Sequence, residues 1–244
     1  MKRSRKFLAI LALSSVMTAS YCSSVFASGK TEVYVLTKSD NGFVSNYSYN
    51  KNGLLIKEKQ DGHTLTIKYD AKNRIKSCKS DTTGTLRHST ITYSYDKKGR
   101  LSKIDSQGSH GSNTYSYTYY YNKNDLVTKE TADYGGAPTY GTFKYNKKKQ
   151  MTNNTIGGSS SDFTYDKNGN LKSVKTSYNL LKYDNKYDKQ KNLIKRVTGI
   201  SGNKQTCTFK YKKIKVDEKY AKQIKEQQYA LLNSDAQLVF PVYF

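Results

Sequence analysis

The chain has 244 residues, a formal net charge of +23, 23 tyrosines, no tryptophan and only two prolines. So large a single-sign charge favours anionic partners and opposes self-association. The three histidines, His63, His88 and His110, are scattered without a Glu or His at ligand spacing, which argues against a zinc site.

In chain order, Lys2, Arg3, Arg5 and Lys6 precede an apolar run from Phe7 to Val16, and Val25-Phe26-Ala27 supplies a peptidase site. This predicts a signal peptide over residues 1–27, cleaved after Ala27. Tyr21 before Cys22 does not suit lipidation. The mature chain keeps a formal +19, has no apolar run able to span a bilayer, and is expected to be secreted, extracellular or at the cell surface. Glu32–Leu36 reads as a first strand turning at Asp40-Asn41-Gly42.

From there the chain repeats itself. Anchor tyrosines stand at Tyr49, Tyr69, Tyr95, Tyr121, Tyr145, Tyr165, Tyr187 and Tyr211. Asp or Asn follows in all but the last, and an apolar residue comes six positions on: Leu55, Ile75, Leu101, Val127, Met151, Leu171 and Leu193. Two positions before the anchor an apolar or aromatic residue recurs, with Asn185 the misfit. Asp-x-x-Gly, as in Asp96 to Gly99, suits a type I turn closed by a left-handed residue. The resulting hairpin places Tyr95 opposite Leu101 and Asp96 near Arg100. Asn73 and Asp125 suit that backbone in place of glycine, whereas Lys149 and Lys191 predict looser turns.

Anchor spacings of 20, 26, 26, 24, 20, 22 and 24 are all even, as a sheet with one buried face requires. The expectation is an all-β antiparallel meander of about eight hairpins over residues 28–215. It forms a long twisted or curled single sheet, aromatic on one face and Thr- and Lys-rich on the other. Lys57, Lys103 and Lys129 fall on the aromatic face in that phasing and argue against contact with lipid. Residues 216–244 break the pattern. Val216–Asn233 reads as a capping helix with Tyr220, Ile224, Gln227 and Leu231 in one stripe, and Leu238–Phe244 as an edge strand restricted by Pro241.

The phrase Tyr-Ser-Tyr-Asp-Lys-Lys-Gly-Arg-Leu, Tyr93 to Leu101, resembles the YD repeat of RHS-type exported proteins, and the similarity runs from Tyr47 to Tyr211. The resemblance implies strands wrapped into a shell. The core segment and C-terminal toxin of large RHS proteins have no counterpart in these residues, so a toxin-carrier role does not carry over.

No nucleophile–base arrangement, cofactor motif or metal cluster is legible. Cys78 and Cys207 are either a disulfide or two small strand residues. Lys51, Lys97, Lys123, Lys147, Lys167, Lys189 and Lys213 each stand first in a loop and predict a basic rim. Tyr120, Tyr134, Tyr140 and Tyr178 lie off the repeat's phase or in loops and predict exposed aromatic contacts. Together they point to a secreted or envelope-associated binding or structural module. Its expected partner is an anionic or neutral polysaccharide or wall polymer, with nucleic acid less favoured. A polysaccharide hydrolase or lyase, and a protein–protein scaffold, are the alternatives.

Overall fold

The structure, a computed structural model, describes residues 29–83, 88–109, 114–200 and 203–233. The signal-peptide segment and the Leu238–Phe244 strand lie outside these residues. Among the described residues, sixteen strands precede one helix. The first half runs β1 Lys30–Asp40, β2 Val44–Tyr49, β3 Leu55–Gln60, β4 His63–Tyr69, β5 Ile75–Thr82, β6 His88–Tyr95, β7 Leu101–Gly108 and β8 Tyr115–Tyr121. The second half runs β9 Val127–Asp133, β10 Thr139–Tyr145, β11 Met151–Ile156, β12 Ser159–Tyr165, β13 Leu171–Thr176, β14 Leu180–Tyr187, β15 Leu193–Ile200 and β16 Asn203–Asp217. The helix α1 spans Glu218–Leu232.

Each repeat is a hairpin whose turn follows the anchor tyrosine. The Asx side chain of Asp96 accepts the backbone N–H groups of Lys98 and Arg100, both at 2.9 Å. Residue 99 then takes φ +80°, where glycine has no Cβ to clash. Asn73, Asp125, Lys149 and Lys191 hold the same left-handed backbone, with φ from 58° to 66°. The two lysines therefore make the same turn, not a looser one. Lys149 N–H still bonds Asn146 O, and Lys191 N–H bonds Asp188 O. The strain of roughly 1–2 kcal/mol is absorbed by the rest of the hairpin.

Each of the seven anchors before Tyr211 faces the apolar residue six positions later, as in Tyr95↔Leu101 and Tyr165↔Leu171, and the register then slips by one residue. This bulge, which the turn spacing alone does not reveal, reverses the faces of the outgoing strand. The inward residues are Leu101 and then Ile104, Leu171 and then Val174; the position three after the apolar one holds Glu58, Cys78, Glu130, Asn154 or Arg196 in the other hairpins. Lys57, Lys103 and Lys129 consequently lie exposed on the opposite face from the aromatics, correcting the phasing expected from the sequence.

The open-sheet expectation is overturned. β1 pairs with β16 from Lys30↔Asp217 to Asp40↔Thr208, and also with β2, so the sheet closes as a sixteen-strand barrel. The described residues contain seven hairpins closed by this turn. The eighth unit has Lys212 where the others have Asp or Asn, so β16 runs straight on instead of turning. A single sheet with one apolar face leaves that face wet; closure buries it and leaves no long free edge. The inward side chains are a core: Leu55, Ile75, Ile91, Leu101, Tyr117, Leu171 and Leu193 are all at most 1% exposed.

Neighbouring hairpins pair less completely than the strands within one. Their ladder stops two residues short of the turn-bearing rim, at Ser77↔Thr92 beside Ile75 and at Lys103↔Thr118 beside Leu101. The anchor tyrosine of the next hairpin fills that wedge. Tyr95 Oη donates to Ile75 O at 2.7 Å and Tyr121 Oη to Leu101 O at 2.6 Å. Tyr49, Tyr69, Tyr165 and Tyr211 make the same latch. The recurrent tyrosine thus serves a hydrogen bond as well as packing.

The helix lies over the turn-bearing end. Gln228 Oε1 accepts Leu36 N–H at 2.7 Å, Gln227 Oε1 accepts Leu55 N–H at 3.1 Å, and Asn233 Oδ1 accepts Leu171 N–H at 2.8 Å. Ile224 packs with Val33, Val35, Leu54 and Val216. Cys78 and Cys207, on β5 and β16, are buried and not bonded to each other, so they are two small strand residues and not a disulfide.

Candidate functional site

The rim is built by the turns. Lys51, Lys97, Lys123, Lys147, Lys167 and Lys189 each occupy the first turn position and are exposed. Closure bends the expected row into a ring around the mouth that α1 covers, with successive turns about 10 Å apart, two strand spacings. Lys213 does not belong to it. That residue lies within β16, paired with Tyr34 of β1, and its ammonium meets Glu32 at 2.8 Å.

The carboxylates beside the ring are engaged internally. Asp96 accepts two backbone N–H groups and the Arg100 guanidinium at 2.7 Å, and Arg100 also reaches Asp125 at 2.7 Å in the next turn. Partial burial works against the ionised form of Asp96, but the Arg100 backbone N–H and guanidinium outweigh it and hold its pKa below the usual value. Arg74 likewise bridges to Asp70 at 2.6 Å and stacks 4.1 Å from the Tyr95 ring. An open groove of about 510 Å³ beside Arg74, Lys76, Ser94 and Tyr95 follows from the wedge between hairpins, and its guanidinium is already committed to these contacts. Among the described residues, none of the six ring lysines is in an ion pair.

The four off-phase tyrosines have different fates. Tyr120 on β8 and Tyr140 on β10 stand on the outer wall, 48% and 53% exposed, with Lys129 of β9 between them. Lys129 Nζ lies 5.6 Å from the Tyr120 ring centroid and 4.8 Å from that of Tyr140. Tyr134 instead folds back, its hydroxyl 2.8 Å from that of Tyr117 and its ring edge-on to Tyr117. Tyr178 stands apart at the β13–β14 turn, 90% exposed. The pairing of Tyr120 with Tyr140 through Lys129 is not legible in the sequence, because no anchor spacing reveals the bulge that turns Lys129 outward.

Among the described residues no group of three or more His, Cys, Asp or Glu is placed to hold a metal. His63 contacts Thr82 at 3.1 Å, His88 is exposed, and His110 lies outside the described residues. No described helix is long and apolar enough to cross a membrane. The mid-strand outer wall carries Lys57, Lys79, Lys103 and Lys129 where a membrane barrel carries an apolar band, and each lysine at a bilayer midplane would cost about 2–4 kcal/mol.

These features define an all-β closed barrel with a filled interior, a polar outer wall and a helix over one mouth. No family model matches the chain. No curated protein matches it either. Among solved structures it is similar to a porin-like protein from Bacteroides uniformis, at 12% identity and a TM-score of 0.51, covering 77% of this chain and 100% of that one. At that identity the likeness speaks to the fold alone. A TccC3-mutant Photorhabdus luminescens Tc holotoxin pore and TcdB2–TccC3 without its hypervariable C-terminal region also match, each at 13% identity and a TM-score of 0.34, over 67% of this chain and 9% of theirs. The chain thus spans about a tenth of those toxin chains, and similarity at that score carries no argument.

Proposed function

We propose that this protein is a short YD-like barrel exported to the cell envelope, where it binds an anionic polymer through its lysine ring. The observation that carries this reading is the ring itself: six exposed lysines at turns about 10 Å apart, interrupted at the Ala71 turn, with the Asp96 and Asp125 carboxylates beside them taken up by backbone N–H groups and Arg100. A ring of fixed charges at that interval suits a flexible polymer with repeating negative groups better than a single small anion. Long-range attraction of this kind is screened by salt.

The test is binding of inorganic polyphosphate at low and high ionic strength. Affinity should fall steeply with salt. Changing Lys97, Lys123, Lys147 and Lys167 together to Gln should weaken low-salt binding by at least about tenfold, an amount equivalent to about 1.4 kcal/mol. Salt-independent binding, or an unaltered quadruple variant, would remove the ring from consideration.

A further inference from the structure

On the outer wall two lysines are each neutralised by an aspartate two positions on. Lys79 Nζ meets Asp81 at 3.0 Å, and Lys103 Nζ meets Asp105 at 2.7 Å. One hairpin further round, Lys129 holds the position of Lys103, and Thr131 holds that of Asp105. Lys129 has no ion pair among the described residues. Two exposed aromatic rings flank it instead, Tyr120 opposite Lys129 on β8 and Tyr140 opposite Thr131 on β10. One hairpin before Tyr120 and one after Tyr140, the same positions hold Ser94 on β6 and Ser160 on β12.

We infer that Tyr120, Lys129 and Tyr140 form a binding site for an acidic sugar, a carboxylate-bearing pyranose within a polysaccharide. The chemistry of the three groups selects that class. A pyranose has flat, weakly polar C–H faces that lie against tyrosine rings, and tyrosine supplies a large amphipathic contact with few rotors to order. The ammonium between the rings has a positive charge left unanswered by the chain and meets the carboxylate. A phosphate polymer would use the ammonium but leave both rings idle. A neutral sugar would use the rings but leave the charge idle. β8 and β10 are two strand spacings apart, about 10 Å, so the site accommodates adjacent rings of one chain rather than an isolated sugar. It lies on the wall just below the Lys123 turn and is separate from the rim; it stands whether or not the rim binds a polymer.

The experiment compares three probes by calorimetry: a galacturonic acid oligomer, a galactose oligomer of equal length, and inorganic polyphosphate. Tyr120→Thr and Tyr140→Thr are chosen because threonine retains strand propensity on an outer face, and unchanged denaturation midpoints verify the fold. Each should weaken the galacturonate oligomer by about tenfold, as loss of an aromatic anchor does, and leave polyphosphate unchanged. Lys129→Gln should abolish the preference for galacturonate over galactose. The inference is overturned if the tyrosine variants bind galacturonate as the wild type does, or if they lose polyphosphate to the same extent. Failure of the rim reading would appear separately, as unaltered polyphosphate binding in the four-lysine variant.

Discussion

Glu130 and Arg196 occupy the same place in two hairpins, three residues after the apolar partner of the anchor tyrosine, and the bulge turns both into the barrel. Their surroundings differ. Arg196 Nε donates to Asn185 Oδ1 at 2.9 Å, another guanidinium nitrogen donates to Leu232 O at the end of α1, and the group stacks 5.1 Å from the Tyr183 ring. Glu130 is fully buried and neither carboxyl oxygen has a hydrogen-bond partner among the described residues. It faces Tyr117 and Tyr119 from β8 and Tyr145 from β10, and it lies against Gly141, where a Cβ would come within 2.8 Å of its Cγ. Desolvation, with no basic group set against it, pushes its pKa up to about 8. One interior charge is met by side chains and a helix terminus, with only its Nη2 left without a hydrogen-bond partner among the described residues. The other is stored as the neutral acid, which the tyrosine-lined wall tolerates.

The largest expected effect follows from that contrast. A carboxyl with a folded pKa near 8, against an ordinary 4.5, gives stability that is complete below about pH 4.5 and is lost as pH rises toward 8. Glu130→Gln removes the ionisation. The variant should match the wild type near pH 4 and exceed it above pH 8 by a few kcal/mol, because each tenfold weakening of the acid on folding corresponds to about 1.4 kcal/mol. Urea unfolding of both proteins from pH 4 to 9 supplies the difference curve, and a flat difference would mean that Glu130 is answered by some group after all.

Next in size is Arg196→Met. It strands Asn185 Oδ1 and the Leu232 carbonyl where the helix end meets the barrel, and should cost about 2–3 kcal/mol. Arg74→Met, at the partly exposed rim pair with Asp70, should cost no more than about 1 kcal/mol. Denaturation midpoints at equal slope measure both. Equal losses would break the distinction between a buried and a rim arginine.

The hairpins are legible in the sequence because their geometry is local. Tyr95, Asp96, Gly99 and Leu101 specify a turn, a register and a buried pair within seven residues, and all seven hairpins follow that rule. Closure is not legible, since β1 carries no mark that it pairs with β16, some 180 residues away. The bulge is hidden for another reason. A slip of one residue changes no spacing between anchors but exchanges inside and outside for half of every hairpin. Glu130 goes inward by that slip and Lys129 outward. The lysine pattern marks the rim faithfully at the six turn residues and misleads at Lys213, because the eighth unit has the tyrosine without the turn. The irregular unit at Asn185 also becomes intelligible. Its Nδ2 donates to Leu171 O at 2.9 Å, the carbonyl that the tyrosine latch serves elsewhere.

The smallest effect tests that latch directly. Tyr95→Phe removes one hydroxyl and leaves the ring beneath Arg74, so only the bond to Ile75 O is lost. The expected loss is about 0.5–1.5 kcal/mol. Tyr121→Phe should lose as much, and the two should add, provided each wedge is closed by its own tyrosine. Tyr187 makes a different use of its hydroxyl, donating to Asp166 and accepting from Asn170 Nδ2 at 3.1 Å, and Tyr187→Phe should cost about 1.5–3 kcal/mol because the acceptor is charged. If Tyr187→Phe proved no worse than Tyr95→Phe, the irregular hairpins would be held by the same latch strength as the regular ones. The network around Asp166 would then add nothing beyond satisfying its own polar groups.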